Sequence, residues 1–176
     1  IAKSGYDNEL AILGLDGSLR SLYVPPAGEF VGDLDLHWSA DRLLFSMPLD
    51  GRWQVLELPV MGGSPRLVTS GLPSDLENFD ACYLPDGRIV FCSNHGQPFF
   101  RNWHGFTLDQ TRPGALPERL PLGQMDHIAF GPGGRRAIGR NTGDPARWKR
   151  YRGGRVGQLW MEDAADGSFR RLSELQ

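Results

Sequence analysis

Little in this sequence announces a chemistry. Its 176 residues include two cysteines, four histidines and no excess of charge of either sign, with a net charge of -2 and a pI near 6.1. Two cysteines ten residues apart, Cys82 and Cys92, with no C-x-x-C spacing anywhere, cannot build a zinc site alone. They read either as two small buried thiols on neighbouring strands or as a disulfide across one hairpin. The weak net charge removes the global field that draws proteins to nucleic acid or to anionic membrane surfaces. No apolar run approaches the roughly 18 residues that a membrane-spanning helix requires. The reading is therefore of a partner that is neither nucleic acid nor membrane. The opening residues, Ile1-Ala2-Lys3-Ser4-Gly5, carry no initiator methionine and no signal-peptide pattern. They read as a processed or truncated start, which leaves the compartment open.

Catalytic signatures are equally scarce. There is no G-x-S-x-G, and serines near glycine (Ser4, Ser18, Ser64, Ser70, Ser168) fall in turns or tails. His37, His95, His104 and His127 are scattered, with neither an H-E-x-x-H nor a pair at metal-ligand spacing. The expectation is a chain with no catalytic residues, no metal and no cofactor.

What the sequence does have is turns. Twenty-three glycines and thirteen prolines are too many for a helical protein, and no segment holds helical periodicity over three turns. One pattern recurs three times: a polar residue, an alternating segment ending in an aromatic, a turn, then a short apolar strand. The copies run from Asp35 to Phe45 through Trp38 and Asp41, from Asp80 to Phe91 through Tyr83 and Pro85-Asp86-Gly87, and from His127 to Ile138 through Phe130 and Gly133. Pro-Asp-Gly suits a tight turn because Pro pre-sets φ and Gly accepts φ > 0. Counted from Asp41 to Asp86 to Gly133, the spacings are 45 and 47. That is close to the period of about 40–50 residues of a four-stranded propeller blade.

A second hairpin follows each copy, and another precedes them all. Glu9–Leu15 turns at Asp16-Gly17 into Leu19–Tyr23, Trp53–Leu58 turns at Gly62-Gly63 into Pro65–Val68, and Gln158–Glu162 turns at Asp166-Gly167 into Phe169–Leu172. A weaker copy joins Gly105–Leu108 to Glu118–Leu120. Alternation on both sides of Asp-Gly or Gly-Gly is the strongest short-range hairpin signal. The chain reads as all-β, a β-propeller of four-stranded antiparallel blades, with about three and a half blades in a single unit. Residues 1–27 are the outer hairpin of a first blade, and 28–71, 72–123 and 124–176 are full blades. Such an arc leaves open sheet edges, so self-association or further blades are expected to close the ring.

The string Ala146-Arg147-Trp148-Lys149-Arg150-Tyr151-Arg152-Gly153-Gly154, with Gly139–Pro145 before it and Gly157–Trp160 after, resembles the propeller domain of tricorn-type proteases. The middle segment, Tyr83-Leu84-Pro85-Asp86-Gly87-Arg88-Ile89-Val90-Phe91, is similar to the general TolB-type or WD40-like repeat. The tricorn resemblance implies a six-bladed propeller stacked on a seven-bladed one, the former feeding or releasing peptides, with catalysis in separate C-terminal domains that nothing here resembles. It implies a non-catalytic, peptide-gating scaffold, cytoplasmic if tricorn-like. The alternatives are a TolB-type interaction propeller, periplasmic and binding a partner protein, or a recombined propeller piece without native activity.

Two constellations stand out as binding candidates. Arg147, Lys149, Arg150 and Arg152, interleaved with Trp148 and Tyr151, suit a carboxylate, since Arg forks bind one with two prongs. The competing reading is an inter-blade loop whose aromatics pack and whose arginines pair with acids. Asp35, Asp80 and His127, at the starts of the innermost strands, are expected to ring one mouth of the channel, either holding a cation or amine or simply solvated there. Trp38, Tyr83 and Phe130, three residues on, are expected in the inter-blade core.

Overall fold

The computed structural model describes residues 3–26, 28–96, 103–112, 114–140 and 157–172. The strands follow one another as hairpins. β1 (Ser4–Tyr6), β2 (Leu10–Leu13), β3 (Leu19–Tyr23) and β4 (Gly28–Glu29) come first. β5 (Gly32–Leu36), β6 (Arg42–Leu49), β7 (Arg52–Pro59) and β8 (Arg66–Leu67) form one four-stranded antiparallel sheet in chain order. β9 (Asn78–Tyr83), β10 (Arg88–Ser93), β11 (His104–Asp109) and β12 (Glu118–Gln124) form a second, and β13 (His127–Phe130), β14 (Arg136–Arg140), β15 (Gln158–Glu162) and β16 (Phe169–Arg171) a third. β2–β3 is a separate two-stranded hairpin, and β1 pairs with β4. We call the three four-stranded sheets blades 1, 2 and 3.

The second strand of blades 1 and 2 is apolar on both faces because each lies between neighbours. Leu44, Phe45, Ile89, Val90 and Phe91 are all 0% exposed. One core joins Leu44 and Val55 of blade 1 to Ala81, Tyr83, Ile89 and Phe91 of blade 2. The next joins Val90 and Cys92 of blade 2 to Ile128 and Ile138 of blade 3. A third seats Leu10, Leu22 and Tyr23 of the β2–β3 hairpin on Phe45, Met47, Leu56 and Leu58 of blade 1. Burial at about 25 cal/mol per Å² of apolar surface thus falls mainly between blades, so each is held by its neighbours.

The register corrects the sequence reading in blade 1. Each first turn is closed by the same bonds: the N–H of Ala40, Gly87 and Gly134 donates to the carbonyl of His37, Leu84 and Gly131. All three donors lie in the left-handed region, at φ 55, 86 and 77. They make Ser39, not Asp41, the counterpart of Asp86, because the blade 1 turn holds one extra residue. Asp33, not Asp35, is the counterpart of Asp80, each lying in the matching bulge of β5 and β9, whereas β13 has no bulge and His127, 47 residues after Asp80, pairs with Gly139. Up to the turn the repeat is 47 residues, as Leu36, Tyr83 and Phe130 show, and past it the spacing is 46 from Leu43 to Ile89 and 47 from Ile89 to Arg136. Leu36, not Trp38, is the counterpart of Tyr83 and Phe130. Trp38 sits in the turn, 68% exposed, and is not core, whereas Tyr83 is 5% exposed and Phe130 packs half-buried on the core between blades 2 and 3.

Candidate functional site

The inner strands β5, β9 and β13 come together along a half-open groove of about 270 Å³. Asp33, Asp35 and Asp80 line it together with Leu36, Trp38 and Phe130. It is a mixed surface of carboxylates beside apolar side chains.

Two of its acids brace the blade junctions. Asp35 Oδ2 accepts the Tyr83 N–H at 2.8 Å, and Asp80 Oδ2 accepts the Ile128 N–H at 3.3 Å. An inner strand has no sheet partner on its channel side, so these carboxylates satisfy backbone donors that water or a ligand would otherwise have to satisfy. Asp80 also accepts from the His127 ring, Nδ1 to Oδ2 at 3.0 Å, and its own N–H donates to Ser46 Oγ at 3.0 Å. Asp33 and Asp80 both adopt φ near 50°, a region Asp tolerates better than most residues.

The electrostatics follow from this crowding. Burial raises the Asp33 carboxyl above its ordinary value, with the Asp80 charge pushing the same way, while Ser46 and His127 oppose. Burial also raises Asp35, against the Tyr83 N–H, which holds its ionised form. His127 is raised chiefly by its hydrogen bond to Asp80, with the charges of Asp80, Asp126 and Asp33 adding to it against desolvation. Cys82 faces the groove, and its thiol is pushed up to about 12, first by burial and then by Asp35 and Asp80. Both cysteines are free thiols: Cys82 pairs across the hairpin with Val90 and Cys92 with Phe79, which decides against the disulfide.

Of the residues singled out in the sequence, Asp35 and Asp80 come together in the groove, and His127 sits against Asp80 at its edge. Arg147, Lys149, Arg150 and Arg152, with Trp148 and Tyr151, lie outside the described residues. Sequence reasoning missed Asp33 and Ser46. The constant spacing of 47 from Asp33 to Asp80 to His127 was available as a signal for the first. Among the described residues no group of three or more His, Cys, Asp or Glu is placed to hold a metal ion.

Comparison with known proteins places the fold. No family model matches the chain. Tricorn protease homolog 1 of Streptomyces coelicolor is 33% identical over 137 residues, 76% of this chain and 12% of that protein. The chain spans between 9% and 12% of the length of the curated relatives compared with it. The crystal structure of the tricorn protease superposes with a TM-score of 0.70 at 24% identity, over 91% of this chain and 16% of that one. TolB from Acinetobacter baumannii gives a TM-score of 0.62 at 15% identity, over 90% of this chain and 35% of that one. The chain is a tricorn/TolB-type β-propeller arc, and its match to the tricorn protease lies in the propeller region, with no catalytic domain covered.

Proposed function

We propose that this arc is a non-catalytic scaffold of a tricorn-like peptidase, which docks an extended peptide along the groove of its inner strands. The observation that carries this reading is the groove itself, where channel-side strands offer carboxylates and apolar side chains side by side. An extended segment can present backbone groups and alternate side chains to such a surface. Asp33, Asp35 and Asp80 favour a segment carrying an amino terminus or a basic side chain, because charge complementarity steers encounter and rejects like-charged partners. Leu36, Trp38 and Phe130 supply the apolar area.

The test uses the purified chain with fluorescein-labelled peptides, one basic and apolar, one acidic and apolar, both matched in length. The basic peptide is expected to bind saturably and to remain intact, and replacing Asp35 and Asp80 by Asn is expected to weaken it at least tenfold. Equal binding of both peptides, or turnover lost on substituting one residue of this chain, overturns the proposal. A TolB-type reading has the same fold in its favour, and differs in expecting a folded protein, not a short peptide, to compete for the inner strands.

A further inference from the structure

The first turn of blade 1 is held differently from the other two. In blades 2 and 3 its second residue is a proline, Pro85 and Pro132, whose ring fixes φ. The counterpart in blade 1 is Trp38, which has no such restraint, in a turn one residue longer. Among the described residues no hydrogen bond or ring contact holds the Trp38 indole. It lines the groove from a position set by the turn that carries it.

Four side chains of that turn close on one another in a circuit. Arg42 Nη2–H donates to His37 Nε2 at 2.7 Å, and Arg42 Nη1–H donates to the Asp41 carboxylate at 2.9 and 3.1 Å. Ser39 Oγ lies 2.6 Å from His37 Nδ1 and 2.5 Å from Asp41 Oδ1. Arginine can only donate, so Nε2 must supply the lone pair and Nδ1 carries the proton of the neutral ring. Nδ1–H then donates to Ser39 Oγ, and the Ser39 hydroxyl donates to Asp41. The Ser39 N–H also approaches Nδ1, at 3.2 Å. The shorter, charge-assisted contact from Arg42 decides which nitrogen keeps the lone pair. A doubly protonated ring breaks the circuit, because it has no lone pair for Arg42 and sets two cations 2.7 Å apart.

Both states of the ring have partners in place. His37 faces Asp35 of its own blade, Asp41 in the turn at 3.6 Å from Nδ1, Arg42 on β6, and the Tyr83 ring on β9 at 4.7 Å between centroids. The two carboxylates can receive an imidazolium. A displaced Arg42 has Glu57 of β7 at 3.4 Å and lies over the Tyr83 ring at 5.6 Å. We propose that this clasp regulates the groove by proton binding. With His37 neutral it holds Trp38 over the groove, and protonation frees Arg42, slackens the turn and withdraws Trp38. His37 is thus a positioning residue, and its role rests on the reading of the groove as the peptide site. Blades 2 and 3 have Leu84 and Gly131 in place of His37, so the same proton leaves their turns closed.

The test follows the His37 ring and Trp38 separately in the whole chain. Long-range 1H–15N NMR at pH 7.5 is expected to find Nδ1 protonated and Nε2 bare. As pH is lowered, the Trp38 indole signal, assigned by its loss in Trp38→Phe, is expected to move in step with the His37 ring. In His37→Gln, whose amide keeps one acceptor and one donor and takes no charge, that signal is expected to stay in place. Fluorescence anisotropy with the basic peptide is expected to show affinity falling about fivefold further in the parent than in His37→Gln, the groove carboxylates contributing equally to both. A proton on Nε2 at pH 7.5, a Trp38 signal that moves in His37→Gln as it does in the parent, or equal acid weakening of the two each overturns the proposal. If the peptide binds at no pH, the reading of the groove fails, and the two NMR outcomes still decide the clasp.

Discussion

Asp80 accepts a hydrogen bond from the ring of His127, 47 residues further along the chain, at 3.0 Å across the junction of blades 2 and 3. The same carboxylate holds the Ile128 N–H, so one side chain ties the next inner strand in place by both its backbone and its first side chain.

That contact makes stability depend on pH. The folded state raises His127 above the ordinary imidazole value of 6.5, first through the Asp80 bond. The stabilisation is therefore complete below that ordinary value and is lost as pH rises through the folded one. Thermal melts should show the parent losing stability from near neutrality upward relative to His127→Gln. NMR titration should find His127 moved back toward its ordinary value in Asp80→Asn. Parallel pH profiles for parent and His127→Gln would refute the linkage.

Asp33 works in the other direction at neutral pH. Its carboxyl is raised by burial and by Asp80, so the folded state holds the proton more tightly than the unfolded chain, and ionisation costs stability as pH rises through that interval. Asn keeps the shape and tolerates the φ of 52°. Asp33→Asn should melt higher than the parent at pH 7, and the gain should vanish below the ordinary carboxylate value of 3.8. A lower melting temperature at pH 7 would show that the charge itself holds the junction.

Turn strain gives a third measurement. Ala40 takes φ 55 where its counterparts are Gly87 and Gly134, and a non-glycine residue there costs on the order of 1 kcal/mol. Ala40→Gly should raise the melting temperature by about 2–4 °C for a chain of this size. No change would mean that the turn relaxes to suit Ala.

Trp38 and Phe91 test the corrected register. Phe91 is fully buried between blades, and Phe91→Ala should cost about 3–5 kcal/mol. Trp38 is exposed in a turn, and Trp38→Ala should change stability by no more than about 0.5 kcal/mol while weakening peptide binding. Denaturant melts of the two variants side by side decide the point.

The thiols should be silent. Cys82 is pushed up to about 12 and Cys92 is raised well above its ordinary range, both chiefly by burial. At pH 8 neither should react with a disulfide reagent in the native protein, and both should react once it is unfolded. Rapid native labelling of Cys82 would show the groove to be more open than its geometry indicates.

The fold was legible in the sequence because a propeller is written locally. Alternation on either side of Asp-Gly, Gly-Gly or Pro-Asp-Gly specifies hairpins, and hairpins repeated at a blade's period specify the architecture without long-range information. The binding candidates were legible only in part. Asp80 and His127 were found because each stands the same number of residues before its turn in two copies with the same turn length. Asp33 was displaced by Asp35 because blade 1 has one extra turn residue, Asp41, and an aspartate on either side of a bulge looks the same in a linear pattern.

The sequence by itself determined the strands, their turns and their period, since each depends on residues within a few positions of one another. Tertiary structure alone decided which acid stands opposite which. A β-bulge moves every side chain beyond it to the other face, and whether Leu34 is covered while Ala81 is buried depends on which strands lie alongside. Those relations are set by packing between blades some 47 residues apart, where local pattern has no reach.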